Sequence, residues 1–239
     1  MAHYVDLHSH FLPGLDDGPG DLATCLNMVR ALCEMGFSDL CATPHQFAGR
    51  FQPPLDEVRL TFEQVSGEVA KLLPEVRLRL GAENYWDDIF ASRLRQGELP
   101  CYDGGKAFLF EISPVVLPPR LEAALFDIRV SGRLPVLAHP ERYLAVQRDT
   151  AVAEGLSRQA ALLVDLVALS GTGDRAEVKT ARRLVEEGLA HAAASDMHAP
   201  EDSRPVAAGL AWIEKRLGPD GVKRLLGDNP RRILLGELP

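Results

Sequence analysis

The 239-residue chain is short of several features, and each absence narrows what it can do. Its four cysteines, Cys25, Cys33, Cys41 and Cys101, form no Cys-x-x-Cys pair and fall inside helix- and strand-like patterns. They read as core thiols, so nothing demands an oxidising compartment. No uncharged apolar run approaches the roughly 18 residues of a membrane span. The segment Met1 to His10 lacks the basic-then-apolar order of a secretory signal. These absences lead us to expect a cytoplasmic protein with no membrane insertion. Basic residues are also in deficit, 26 Lys and Arg against 34 Asp and Glu, for a net charge of −8. With no basic surplus to displace counterions, nucleic acid is not an expected partner. There is no internal repeat, low-complexity tract or linker, and Gly104-Gly105-Lys106 is too short for a phosphate-binding loop. Residues 1–239 are therefore read as one domain.

What the chain does have is core material, 46% hydrophobic residues, in short apolar runs that alternate with amphipathic stretches. That is the pattern of a βα protein. Strands are expected near Tyr4–Leu7, Asp39–Ala42, Val76–Gly81, Ala107–Phe110, Leu134–Ala138, Leu162–Val167 and Ala190–Ala194. Helices are expected at Asp21–Met35, Leu55–Leu73, Arg120–Val130, Glu177–Glu187, Val206–Leu217 and Val222–Leu234. Seven strand–helix units suggest an α/β chain with a distorted, TIM-like (β/α)7 barrel. A doubly wound open sheet is the alternative.

The positions of the polar residues are informative. His8 and His10 follow the first strand, His45 the second, Glu83 the third, Glu111 the fourth, His139 the fifth, and Asp196 and His198 the seventh. In a parallel barrel these ends converge on the catalytic face. Only the sixth strand contributes nothing. His8 and His10 are two apart, so at a strand end they point the same way. Asp17, in the Asp16-Asp17-Gly18 turn, can fold back toward them. Imidazole suits zinc, iron or manganese, and added carboxylates favour harder ions such as manganese. Nine such ligands are too many for one ion and enough for two or three.

Each piece alone has a bland reading. A lone His-x-His is more often surface or core histidine, and a lone strand-end Glu a salt-bridge partner or cap. His3 and His191 fit that bland description. Five histidines at strand ends do not. Arg142 and Arg204 bring guanidinium forks to the same face, where they match phosphate oxygens. Arg50 is a weaker third candidate, better read as a surface residue.

The motifs Asp6-Leu7-His8-Ser9-His10, Asp16-Asp17-Gly18, Thr43-Pro44-His45, Gly81-Ala82-Glu83, Phe110-Glu111, His139-Pro140-Glu141-Arg142-Tyr143 and Ser195-Asp196-Met197-His198 occur in that order. Together they resemble the polymerase-and-histidinol-phosphatase (PHP) superfamily. More specifically they resemble its bacterial manganese-dependent protein-tyrosine phosphatases of capsular and exopolysaccharide biosynthesis. The likeness runs from residue 4 to Asp228-Asn229-Pro230. It implies the PHP fold and three divalent metal ions, manganese first, with iron, cobalt or zinc as alternatives. By this resemblance His8, His10, Glu83 and Asp196 hold the first metal. Glu83 bridges to a second, completed by Glu111 and His139, while Asp17, His45 and His198 hold the third. Arg142 and Arg204 match the family's phosphate-binding arginines. Gln46 departs from the family, standing where relatives often carry a second basic residue. The segment Asp165 to Gly171 is also more apolar than usual.

The resemblance implies metal-assisted hydrolysis of phosphotyrosine by water activated on the cations. The substrate would be the tyrosine-rich tail of a bacterial tyrosine kinase. No cysteine lies in a Cys-x5-Arg loop, so a cysteine phosphoenzyme is not required. The alternative is a PHP phosphatase acting on a small phosphate monoester such as histidinol phosphate. An amidohydrolase would usually add a carbamylated lysine at a strand end, and none stands there. A metal-binding regulatory domain without activity would have lost ligands, and all nine are present.

Overall fold

The computed structural model describes residues 3–239, which hold nine strands: β1 Tyr4–Ser9, β2 Phe37–Ala42, β3 His45–Gln46, β4 Arg77–Leu80, β5 Glu83–Tyr85, β6 Ala107–Glu111, β7 Leu134–Ala138, β8 Ala161–Asp165 and β9 Ala192–Ala194. The helices among these residues are α1 Leu22–Glu34, α2 Leu55–Leu72, α3 Asp88–Gln96, α4 Leu121–Val130, α5 Leu144–Arg148, α6 Thr150–Ser157, α7 Leu166–Ser170, α8 Arg175–Glu186, α9 Ser203–Lys223 and α10 Asn229–Leu234. Carboxylates start several of them. Asp21, Asp87 and Asp174 accept from the backbone N–H of Thr24, Phe90 and Ala176 at 2.7–2.8 Å, satisfying donors that the first helical turn leaves free.

All strand pairs are parallel, in two sheets ordered β1-β2-β4 and β3-β5-β6-β7-β8-β9. The sheets meet where two strands are interrupted. Pro44 has no N–H to continue a ladder, so β2 breaks at Thr43-Pro44 and resumes as β3. The neighbouring strand breaks at Gly81-Ala82, between β4 and β5. Backbone bonds cross the gap, from Gly81 N–H to the Ala42 carbonyl (2.8 Å) and from Glu83 N–H to that of Pro44 (3.1 Å). The seven expected strands are thus seven directions in nine segments, and the fold is α/β and TIM-like.

The ends of the ladder meet without a continuous sheet. β9 reaches β1 through one parallel bridge, Ser9 with Met197. Asp196 N–H donates to the His8 carbonyl and His10 N–H to that of Met197, both at 2.9 Å. The buried Asp6 carboxylate stitches the same seam, accepting from Ser195 N–H (2.9 Å) and the Ser195 hydroxyl (2.5 Å). Burial pushes the Asp6 carboxyl up to about 6, with the Ser195 bonds acting against it.

Strand periodicity sorts the core into two clusters. One face carries Ala107 and Leu109 of β6, Leu134, Val136 and Ala138 of β7, Ala161 and Leu163 of β8, and Ala192 and Ala194 of β9. These mostly small side chains fill the interior between the strands. The intervening residues Phe108, Phe110, Leu137, Leu162, Val164 and Ala193 pack outward against the helices. At α9 the helix backbone meets that of α7: a Cβ added to Gly209 would lie 1.9 Å from the Leu166 carbonyl oxygen, so only glycine fits.

Several sequence expectations need correction. Leu166 and Val167 begin α7 rather than ending a strand, because the apolar run continues past Asp165 into a short buried helix. Ala190 and His191 precede β9. The short helix α3 has no counterpart among the expected elements, since Arg93 and Arg95 interrupt its apolar pattern. The C-terminal helices run together, with α9 kinking at Gly218 before Pro219 and a π-helical turn, Arg224–Asp228, leading into α10. No helix among the described residues is long and apolar enough to cross a membrane.

Candidate metal centre

The inward faces of these strands end in polar side chains. Glu111 follows Ala107 and Leu109 at period two, and Asp165 follows Ala161 and Leu163 in the same way. Asp196 continues the face of Ala192 and Ala194. In β1 a register shift between Asp6 and Ser9 adds one residue. Such a bulge re-aims side chains, and here it turns His8 and His10 to the face already used by Leu7. His139 (φ 34°) and Asp196 (φ 48°) adopt left-handed backbone conformations uncommon for residues other than glycine. Strain of this kind is held where the surrounding structure over-determines it. The Asp16–Gly18 turn lies against β1 so closely that a Cβ on Gly18 would fall 2.0 Å from the His10 carbonyl oxygen.

The nine expected ligands form one connected cluster. His8 Nε2 lies 3.0 Å from His10 Nε2, 3.2 Å from Asp196 Oδ1 and 3.4 Å from Glu83 Oε2. His10 Nε2 is 3.5 Å from each of the same two oxygens. Four donors bound tetrahedrally at about 2.0–2.1 Å from a cation stand about 3.3–3.4 Å apart, so the spacing suits an ion at their centre. Glu83 also faces outward, its Oε1 2.8 Å from His139 Nε2 and its Oε2 2.9 Å from His45 Nδ1. His45 spans two groups, with Nδ1 3.4 Å from Glu111 and Nε2 3.4 Å from Asp17. His198 Nε2 is likewise 3.4 Å from Asp17.

Three groups could each hold an ion: His8, His10 and Asp196; His45, Glu83 and Glu111; and His10, Asp17, His45 and His198. The resemblance did not imply the sharing of His10 and His45 between groups. Glu83 Oε2, Asp196 Oδ1 and His45 Nδ1 are buried and make no aligned hydrogen bond, although His45 Nδ1 stands 2.9 Å from Glu83 Oε2. A buried carboxylate oxygen with no partner is costly, and a cation supplies what these atoms lack. The donor set therefore fits divalent metal ions.

The electrostatics agree. Burial works against a charged His45, but Asp17, Glu111 and Glu83 overcome it and carry its pKa up to about 11. His10 is raised in the same way, chiefly by Asp16 against the burial penalty. His45 in turn holds Asp17 down, to about 2. The same negative field attracts divalent cations, which displace those protons on binding. The cysteines offer no rival nucleophile, because burial pushes Cys25 up to about 12 and Cys33 to about 11.

Around the cluster a cavity of about 420 Å³ is lined by Asp17, His45, Arg50, Glu83, Glu111, Arg142, Asp196 and His198. Arg142 Nη2 donates to Asp165 and Asp196, at 2.5 Å each. Arg204 is exposed on the first turn of α9 and makes no polar contact with the cluster. Arg50 is exposed, as expected of a surface residue, and also lines the cavity, 5.4 Å over the Phe51 ring, which stacks on His45. His3 is exposed against Ser38, and His191 accepts from Leu162 N–H; both are apart from the cluster.

The sequence reading missed three acidic residues here. Asp16 accepts from His10 Nδ1 (2.7 Å), His45 N–H and Gly18 N–H, orienting one imidazole. Glu141, fully buried, accepts from Asp165 N–H at 2.8 Å. Asp165 makes the sixth strand a contributor after all. Its signal was present, two residues beyond Leu163 on the inward face.

Fold and site together define a parallel α/β protein whose strand ends carry a carboxylate–imidazole centre suited to divalent metal. The chain belongs to the capsular polysaccharide synthesis CpsB/CapC family, whose pattern matches residues 4–235. It is 28% identical over 242 residues to the tyrosine-protein phosphatase CpsB of Streptococcus pneumoniae, covering 98% of this chain and 99% of that protein. It is also similar to a solved chain from work on YwqE of Bacillus subtilis and CpsB of S. pneumoniae, described as unique metal-dependent tyrosine phosphatases. That match has a TM-score of 0.87 at 27% identity, over 98% of this chain and 95% of that one. The histidinol phosphate phosphatase of Lactococcus lactis shares the fold at 17% identity, with a TM-score of 0.56 over 90% of this chain and 94% of that one.

Proposed function

We propose that residues 1–239 form a single metal-dependent protein-tyrosine phosphatase domain that regulates a bacterial tyrosine kinase in capsule or exopolysaccharide synthesis. The observation that carries this reading is the convergence of His8, His10, Asp17, His45, Glu83, Glu111, Asp196 and His198 into three ligand groups with buried atoms that make no aligned hydrogen bond, and of His139 onto Glu83 Oε1. End-to-end similarity to a tyrosine-protein phosphatase supports the substrate class. Three sites, with manganese as the preferred ion, fit the imidazole–carboxylate mixture.

Divalent cations held there supply a nucleophile from water at neutral pH and offset phosphate charge. The chain's residues do the rest. Glu83 and Asp196 keep His8 and His10 converged, and Asp16 fixes the tautomer and orientation of His10. Arg142 stands at the cavity with Nη1 and Nε free of protein partners among the described residues, leaving charged donors for phosphate oxygens. Arg50 adds positive charge at the cavity wall, whereas Arg204, exposed in the first turn of α9, does not line it. A phenolate leaves with a pKa of about 10, more readily than a serine alkoxide, which favours phosphotyrosine. The substrate is reached from the cytoplasm.

The test is turnover of phosphotyrosine peptide, phosphoserine peptide and histidinol phosphate by purified protein, with metal content measured. Preference for phosphotyrosine, loss with chelator and recovery with manganese are expected. Preference for histidinol phosphate supports the small-monoester alternative, and activity indifferent to chelation removes the metal-dependent reading.

A further inference from the structure

Arg142 is held more tightly than a phosphate-binding arginine on a loop needs to be. It lies in a short 3-10 turn, Pro140–Arg142, and its side chain remains about 40% exposed. A free arginine would lose considerable rotamer freedom on gripping a phosphate. Here one guanidinium nitrogen, Nη2, takes both nearby carboxylates, Asp165 Oδ2 and Asp196 Oδ2 at 2.5 Å each. The two carboxylates differ in what else they do. Asp196 turns Oδ1 toward His8 and His10 and belongs to the candidate metal centre. Asp165 contacts none of the candidate ligands other than through Arg142, and its Oδ1 is buried without a partner. It is nevertheless built into place. Its backbone N–H donates to Glu141 Oε1 at 2.8 Å, and Glu141, one residue before Arg142, is tied by its carbonyl to Gln147 Nε2 at 2.8 Å. The β8 end and the Arg142 turn are therefore locked to each other twice, by Glu141 to backbone and by Asp165 to guanidinium.

We infer that Asp165 is a positioning residue for phosphate recognition: it clamps Arg142 Nη2 so that the guanidinium plane, with its remaining donors on Nη1 and Nε, is held already oriented for the substrate phosphate. The assignment rests on the phosphatase reading for the identity of the ligand. Asp196 alone cannot do this work, because its other oxygen is committed to the imidazoles. Preorganising the fork lowers the entropy lost on binding, so removing the clamp should weaken ground-state phosphate binding rather than the chemical step.

The experiment measures inorganic phosphate affinity by calorimetry on manganese-loaded protein, with metal content, KM and kcat on a phosphotyrosine peptide. It compares wild type, Asp165→Asn, Asp165→Glu, Arg142→Ala and the Asp165→Asn/Arg142→Ala double variant. Asp165→Asn should weaken phosphate binding and raise KM by about 10-fold, the loss expected for one charge-assisted contact. Metal content and kcat should hold, Asp165→Glu should recover most of the affinity, and the substitution should add nothing once Arg142 is gone. Asp165→Ser carries the same expectation if the asparagine variant does not fold. Unchanged phosphate affinity in Asp165→Asn, an equal loss in the Arg142→Ala background, or loss of metal would each overturn the inference. Should wild type hydrolyse no phosphate ester, the functional reading fails, while the calorimetric coupling still decides the role of Asp165.

Discussion

The inner ends and the mouth of the same strands follow opposite rules. Inside, Leu109, Val136, Leu163 and Ala192 are buried and apolar, and every position is matched by a neighbour. Two or more residues further along, the same faces present Glu83, Glu111, His139, Asp165 and Asp196, several with buried oxygens lacking partners. The interior is optimised for stability and the mouth is not. The mouth keeps unmet polar atoms and left-handed residues that only a cation and a substrate would justify.

The sharpest way to break this contrast is to neutralise Glu83, which faces His8, His10, His45 and His139 together. Glu83→Gln should cut phosphatase activity by about 1,000-fold or more, because the group that supplies the nucleophile is lost. Metal affinity should fall with it, because the histidines lose the carboxylate they share. Leu163→Ala should do the reverse. A cavity there costs about 2–5 kcal/mol by chemical denaturation, with metal affinity per folded molecule unchanged. Between these lies Asp16→Ala, which frees His10 without removing it. Metal titration should show an affinity lower by about 10- to 100-fold, the usual effect of losing a ligand's outer partner.

The smallest effect concerns pH at a histidine outside the mouth. Burial holds His191 down, to about 4 from 6.5, with Arg224 and Arg129 acting the same way. The folded state therefore favours the neutral ring. Its stability is fully present above 6.5 and is lost as pH falls from there toward 4. Wild type should lose about 1–2 kcal/mol through this group between pH 7 and pH 5. His191→Gln should show a correspondingly shallower decline in urea melts over that window.

Much of this was legible because strand periodicity is simple. Apolar runs such as Ala107–Phe110 and Leu134–Ala138 announce themselves, and the residue after each run then falls at the mouth. Breaks in the ladder were harder. Thr43-Pro44 and Gly81-Ala82 read as strand ends, and only hydrogen bonding across the gap makes them kinks. The β1 bulge is invisible in His8-Ser9-His10, although it decides which way both imidazoles point. Asp165 is masked in the sequence because the apolar run continues through Leu166 to Leu169, hiding the strand's end inside a helix start. Arg50 and Arg204 show the limit of charge placed by sequence: a loop fold brings the first to the cavity, while a helix turn leaves the second outside.

The central claim is that these nine side chains enclose divalent cations. Anomalous diffraction from crystals grown with manganese tests it most directly. The account predicts manganese peaks within the His8–His10–Glu83–Asp196 group and beside His45 and His198. Ordered manganese elsewhere, or a mouth whose side chains remain paired only with one another at saturating metal, would contradict it.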